Sequence, residues 1–262
     1  MPESVNFDRI ADRYDETRGG EARGRSIATQ VGPHLPDGRL LEIGVGTGLI
    51  AAAFASLGRE VIGIDLSEQM LAYATERVPG RVIRADASAI PLQDASVDAC
   101  AAIHVLHLVA DTSAVLGDVA RVLRSGGRLA VVGGGSHDTV SDVDHLMDAM
   151  SARLHSYRLR AARSQPEAVI EAAERHGLRL VERFPIAQEE GAATPEQAAA
   201  EIEARLWSRL WDLPDDIWAS VVEPTIKQLR QLPGQDRPRP VVAHSPVLIF
   251  EATAGVPEGR AD

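Results

Sequence analysis

The sequence is poor in several things, and each shortage excludes something. It has one cysteine, Cys100, so it builds no internal disulfide and no zinc site on several thiolates. Cys100 lies in an apolar run and reads as a small buried hydrophobe rather than a nucleophile. Lys227 is the only lysine, and arginine carries nearly all the positive charge. With the abundant alanine, that usage reads as the codon bias of a GC-rich genome, not as function. The net charge is −11 and no Lys/Arg block appears, which disfavours nucleic acid as a partner. Long apolar runs are missing as well. Val97 to Val109 is interrupted by Asp98, His104 and His107, so nothing approaches the roughly 18 apolar residues of a membrane span. The opening "MPESVNFDRIADRYDETRGG" is charged and has no apolar h-region, so no secretory signal is expected and the cytoplasm is the expected location. The scattered histidines have no metal-ligand spacing, and no metal site is expected.

What is present is ordinary globular material, with 45% hydrophobic and 25% charged residues over 262 positions. Residues 5–31 read as helical with a break at Gly19-Gly20, and "PDG" at 36–38 makes a turn. Short apolar runs then alternate with longer amphipathic ones. "RLLEI", "EVIGID", "RVIRAD", "VDACAAIHVL" and "GRLAVVGGG" read as strands. Between them "GLIAAAFASLG", "SEQMLAYATERV" (N-capped by Ser67) and "DTSAVLGDVARVLRSGG" read as helices. That alternation predicts a parallel sheet wrapped by helices, a doubly wound α/β fold. The pattern changes after about residue 136. Residues 137–163 read as a polar helical stretch, "PEAVIEAAERHG" as a helix closed by Gly177, and "LRLVERFPI" as a strand. A helical addition follows at 194–232, and "HSPVLIFEATA" closes the chain as a strand. One domain over 1–262 is expected.

The chemistry is announced by "LLEIGVGTGLIA". Gly44, Gly46 and Gly48 fall at a strand-to-helix turn, where absent Cβ atoms let backbone N–H groups approach a ligand. In an open parallel sheet, ligands sit outside the carboxyl ends of the strands. Asp65 ends the next strand, placed to accept from two ribose hydroxyls, so a nucleoside-containing ligand is expected. The spacing is G-x-G-x-G rather than the G-x-G-x-x-G of a dinucleotide fingerprint. Glu42, two residues before the first glycine, would oppose a pyrophosphate and suits a cationic ligand. The plainer alternatives are tight strand–helix packing for the glycines and strand-end caps for Asp65 and Asp86.

"LLEIGVGTG" resembles the first motif of the class I S-adenosylmethionine-dependent methyltransferases. "VIGIDLSEQML", "RADASAIPLQDASVDAC", "VLHLVAD" and "DVARVLRSGGRLAVV" are similar to that family's later motifs, in the same order. "FDRIADRYDE" is similar to the N-terminal helix of its small-molecule branch, the ubiquinone- and natural-product-type enzymes. "RSGG" stands at 124–127 where the family usually shows "KPGG", a surface turn. The resemblance implies a Rossmann-like, mostly parallel seven-stranded sheet. It adds an N-terminal helical segment and a helical insertion before the last strand. The cofactor-binding core would be 39–135, with helical additions over the acceptor pocket at 137–163 and 194–232. S-adenosylmethionine would be the cofactor, S-adenosylhomocysteine the product and a small molecule the methyl acceptor. Carried over by residue, Glu42 and the Gly44–Gly48 backbone would face the methionine part, and Asp65 the ribose. Leu66 and Met70 would flank the adenine, Asp86 would accept from its amino group, and the Ala87 N–H would meet a ring nitrogen. Ile103 would offer a carbonyl to the ammonium, and Tyr14 and Arg18 would close over the carboxylate.

His104, near the end of the fourth strand, is the candidate catalytic residue, because an imidazole suits removal of a proton from an acceptor nucleophile. His137 and His145 are rivals, and His107 matches a histidine common in the family's turn. Aromatics make up only 4% of the chain, yet Trp207, Trp211 and Trp218 fall close together. Trp207 and Trp211, with Leu206, Leu210 and Leu213, read as one apolar helix face. It would pack on its own domain, join a homodimer, or serve as a lid over a hydrophobic acceptor pocket. Three other functions stay open: a non-methylating reaction such as cyclisation, a nicotinamide-dependent oxidation, and a non-enzymatic binding module.

Overall fold

The structure is a computed structural model that describes residues 15, 20–133, 136–137, 141–154, 165–207, 210–211 and 213–253. The elements in chain order begin with α1 (Gly20–Val31), β1 (Arg39–Ile43), α2 (Leu49–Ser56), β2 (Glu60–Asp65) and α3 (Glu68–Arg77). β3 (Val82–Arg84), β4 (Val97–Ile103), α4 (Thr112–Val122), β5 (Leu123–Val132) and β6 (Ser136–His137) follow. Then come α5 (Asp142–Arg153), α6 (Pro166–Glu174), β7 (Leu178–Ala193) and α7 (Pro195–Glu203). α8 (Asp215–Ile217), a π-helical turn (Trp218–Val222), α9 (Glu223–Leu229) and β8 (Arg239–Ala252) complete them. The chain divides into two compact units. One comprises Met1–Gly134, Arg163–Ile186 and Ser245–Asp262, the other Gly135–Ala162 and Ala187–His244.

In the first unit, β3, β2, β1, β4 and β5 lie side by side in parallel, and β8 adds antiparallel to β5. β7 pairs with β8, so that seven strands of the sheet lie in this unit. The chain moves outward from β1 to β3 and then returns to β4 on the other side of β1. Strand order therefore reverses between β1 and β4, where open α/β sheets leave a crevice. The strands are apolar on both faces because helices cover both. Leu41, Ile43, Cys100, Ala102, Leu129, Val131, Leu248 and Phe250 enter one core cluster. Their neighbours Leu40, Ala99, Ala101, Ile103, Ala130, Val132, Val247 and Ile249 enter the other. That alternation is the two-residue period of a strand. Cys100 is fully buried, and burial pushes its thiol pKa up, so it stays a neutral hydrophobe.

Local chemistry sets the helix starts. Ser67 caps α3 by accepting from the Met70 N–H at 3.0 Å, and the Asp111 carboxylate caps α4 at the Ser113 and Ala114 N–H groups. The helix read from 111 to 127 stops at Val122, however. Leu123 pairs with Val97 and the ladder resumes at Ala99↔Arg128, so 124–127 bulge out of β5. Arg124, hydrogen-bonded to Asp98, anchors this bulge. Gly127 closes it where a Cβ would lie 2.8 Å from the Arg124 carbonyl oxygen.

The second unit is mainly helical. Its core joins Val143, Met150 and Leu154 with Ala198, Ala199, Ile202, Leu210, Val221, Val222, Ile226 and Leu229. β6 pairs there with β8, Ser136 opposite His244 and His137 opposite Ala243. The single helix carrying Trp207 and Trp211 is not formed. α7 ends at Glu203, and Arg205 takes a left-handed backbone (φ 51°) that no helix continues through. Trp207, Leu213 and Trp218 pack partly buried against this unit's own core, and the Trp211 indole donates to the Arg205 carbonyl at 2.6 Å. No helix among the described residues is long and apolar enough to cross a membrane.

Candidate functional site

Where β1 ends, the chain enters the glycine loop. Gly44 has φ 67°, and a Cβ there would collide with the Val105 side chain. Gly48, at the start of α2, has φ 84°, and a Cβ would lie 2.9 Å from Ala74 Cα on α3. Both positions need glycine for conformation and for space. A Cβ on Gly46 would meet nothing within 4 Å among the described residues. The Gly46 N–H donates to Asp65 Oδ2 at 2.9 Å, and the Ser67 N–H to Asp65 Oδ1 at 2.9 Å. One carboxylate at the end of β2 thus ties the glycine loop to the start of α3.

The strand ends at the reversal of sheet order border an open cleft. It is lined by Gly44, Gly46, Asp65, Leu66 and Met70, by Asp86 and Ala87 after β3, and by Ile103 and His104. Nine residues singled out in the sequence therefore come together on four strand ends. Ile64, Ala85, Val105, Leu108 and Val109 also line it and had not been singled out. The signal for the last three was the apolar run "VLHLV", which reads equally well as core. Asp86 Oδ1 accepts from the Ser88 N–H at 2.8 Å and the Ser88 hydroxyl at 2.7 Å, which fixes its carboxylate.

Glu42 and Gly48 are not among the cleft-lining residues. Glu42 is buried, and its Oε2 has no hydrogen-bond partner among the described residues. Burial first, and the Asp65 charge second, hold its carboxyl well above the usual carboxylate range. Tyr14 and Arg18 lie outside the described residues. Their neighbour Asp15 is described, and it accepts from the Thr47 hydroxyl at 2.5 Å and from Arg77 at 2.6 Å. Sequence reasoning did not single out Asp15, Thr47 or Arg77.

The strand expected to run to Leu106 ends at Ile103, because His104 turns left-handed with φ 53° while its N–H donates to the Val132 carbonyl at 2.7 Å. A non-glycine residue held in this region costs on the order of 1 kcal/mol, and such strain gathers at functional sites. His107 lines a separate, smaller pocket with Val169 and Pro246. His145 sits on α5 with its Nδ1 2.9 Å from the Ser141 carbonyl oxygen, in the second unit. His137 is described by its backbone alone. Of the candidate histidines, His104 is the one lining the cleft among the described residues.

Known proteins share these features. A family model described as a methyltransferase domain matches residues 41–131. A demethylmenaquinone methyltransferase of Mycolicibacterium gilvum is 35% identical over 179 residues, covering 64% of this chain and 75% of the relative. One from Clavibacter sepedonicus is 31% identical over 137 residues, 49% of this chain and 56% of the relative. The chain spans 25% to 66% of the length of the first four curated relatives it matches. Among solved structures, the [4+2]-cyclase SpnF superposes with a TM-score of 0.57 at 18% identity, over 97% of this chain and 99% of that one. A Haemonchus contortus phosphoethanolamine N-methyltransferase in complex with S-adenosylmethionine gives 0.53 at 20% identity, over 95% and 60%. At these identities the superpositions show the fold. The chain belongs to the class I S-adenosylmethionine-dependent methyltransferases. The site suits that cofactor: glycine backbone at the cleft wall, and just before it a buried Glu42 carboxyl oxygen with no partner among the described residues, fit a ligand carrying an ammonium group.

Proposed function

We propose that this protein transfers the methyl group of S-adenosylmethionine to a small-molecule acceptor and releases S-adenosylhomocysteine. The observation that carries this reading is the convergence of Gly44, Gly46, Asp65, Asp86, Ala87 and His104 on one cleft at the reversal of strand order. When bound, the cofactor supplies a methyl group made electrophilic by its sulfonium. In this reading Asp65 accepts from the ribose hydroxyls, while Leu66 and Met70 flank the adenine. Asp86 and the Ala87 N–H hydrogen-bond the adenine edge, and the Ile103 carbonyl and Glu42 favour the ammonium end. Tyr14 and Arg18 are assigned to the carboxylate end on resemblance alone. His104 takes the proton from the acceptor's nucleophilic atom. Orientation of the two reactants provides most of the acceleration. Relatives named demethylmenaquinone methyltransferases make a quinol-type acceptor the first class to screen. A cytoplasmic setting, where the cofactor is made, belongs to the proposal, and the net charge of −11 supports a partner other than nucleic acid.

The test is titration calorimetry with S-adenosylmethionine and S-adenosylhomocysteine on wild type and Asp65→Ala, with NADH as control ligand. Binding by wild type is expected, with NADH inert. Loss of the carboxylate's ligand contacts, about 3 kcal/mol, should weaken binding about a hundredfold. Pure, folded wild type that binds neither cofactor form would sink the proposal. A second reading, a non-methylating reaction such as cyclisation, is favoured by the SpnF neighbour, whose fold this chain shares. Release of S-adenosylhomocysteine in step with product would exclude it.

A further inference from the structure

The glycine loop is gripped by a second carboxylate, outside the cleft. Thr47, between Gly46 and Gly48, is 3% exposed and is not among the cleft-lining residues. Its hydroxyl donates to Asp15 Oδ1 at 2.5 Å. Arg77 Nη2 donates to Asp15 Oδ2 at 2.6 Å, and Arg77 Nη1 donates to the Thr47 carbonyl at 2.7 Å. Three segments far apart in sequence therefore close a ring: residue 15, the loop, and the last residue of α3. The Arg77 and Asp15 side chains are 31% and 27% exposed, so the contact is partly shielded from water. Short charge-assisted hydrogen bonds of this kind are about twice as strong as neutral ones. Asp65 holds the Gly46 N–H from the cleft side, while Asp15 holds the next residue through its hydroxyl.

We propose that Asp15, Thr47 and Arg77 are positioning residues for the cofactor. They hold the loop in its binding conformation before the ligand arrives. This inference rests on the reading of the cleft as an S-adenosylmethionine site. The physical case is entropic. A loop containing Gly44, Gly46 and Gly48 is conformationally permissive and loses much freedom on ordering. Where the ring has already ordered it, the ligand does not bear that cost and binds more tightly. The ring touches Thr47 and not the cleft wall, so its loss acts on cofactor affinity and leaves the methyl-transfer step alone. A ring that served only to anchor residue 15 would affect the melting temperature and nothing else.

S-adenosylhomocysteine titrated into full-length wild type, Asp15→Asn, Thr47→Val and Thr47→Ser separates these cases, with the melting temperature of each recorded alongside. Asp15→Asn and Thr47→Val should each raise Kd about tenfold, the effect of one lost hydrogen bond to a charged group. Thr47→Ser keeps the hydroxyl and should stay within about twofold of wild type. The Asp15→Asn/Thr47→Val double variant should lose less affinity than the sum of the two single losses, because both disrupt one ring. Should Thr47→Val not fold, Arg77→Gln removes another side of the same ring. Wild-type affinity in Asp15→Asn and Thr47→Val overturns the inference alone, as does a Thr47→Ser variant as weak as Thr47→Val. Wild type that fails to bind overturns the inference together with the cofactor reading.

Discussion

Glu42 is an acid buried in the fold, and its burial bears on stability first. Its carboxyl is buried beside Asp65, so the folded protein retains a proton that the unfolded chain gives up. A carboxyl whose folded pKa is raised contributes stability fully below its unfolded pKa, and that contribution is lost as pH rises through the folded value. Glu42→Gln keeps the shape and removes the charge. It should raise the unfolding midpoint relative to wild type at about pH 8, with the gap closing toward about pH 4. The same variant should weaken S-adenosylhomocysteine binding, because an amide cannot give up a proton to meet the ligand's ammonium group. Urea unfolding at the two pH values checks the first half and calorimetry the second. A variant less stable than wild type at the higher pH would mean that the carboxylate is compensated in the fold. At this scale the sequence was legible where a residue's oddity is local. Glu42 stands out as an acid ending an apolar strand, and Asp65 as an acid ending the next. Asp15 does not, because its partners lie 32 and 62 positions away and nothing in its neighbours announces them. Val105 is hidden for a similar reason: its role is to fill the space that Gly44 leaves.

Between elements, the contact that sets the loop's height is Gly48 against α3. Gly48 and Gly58 have nearly the same left-handed backbone, φ 84° and 86°, at the two ends of α2. A Cβ at Gly48 would press on Ala74 Cα at 2.9 Å, whereas a Cβ at Gly58 would meet nothing within 4 Å among the described residues. Gly58→Ala should therefore cost only the conformational penalty, about 1 kcal/mol. Gly48→Ala should cost that plus the displacement of α2 from α3, about 2–4 kcal/mol in total. Denaturant unfolding of the pair isolates the helix contact by difference. Equal losses would show that the approach of Gly48 to Ala74 carries no energy. Element by element, β1, β2 and α3 could be read because apolar alternation, turn glycines and the Ser67 cap agree locally. The end of α4 could not, since Leu123 continues an apolar helical pattern while its backbone already pairs with Val97. The tryptophan segment misled for a related reason. A four-residue spacing looks helical, and Arg205 gives no hint of a left-handed turn because arginine is not a residue that favours one.

For the molecule as a whole, all fourteen residues lining the cleft belong to the first unit, whose sheet is buried between two core clusters. The pattern that revealed the family is concentrated there too, because backbone–ligand chemistry demands glycines and acids at fixed spacing. The second unit is held by interchangeable apolar side chains, and its sequence says little beyond helix. A ligand that binds the folded cleft and not the unfolded chain must stabilise the unit that bears it. At a hundred times Kd the linkage is worth about 2.7 kcal/mol. For a protein of this size that corresponds to about 5–10 °C in melting temperature. Adding S-adenosylhomocysteine should produce such a shift in wild type and little or none in Asp65→Ala at the same concentration. Hydrogen exchange then locates the effect, with added protection expected along 44–48, 65–70, 85–87 and 103–109. A thermal shift with protection confined to other segments would place the ligand elsewhere and remove the cleft from the argument. Protection along these four segments would tie the binding energy to the strand ends around the point where sheet order reverses.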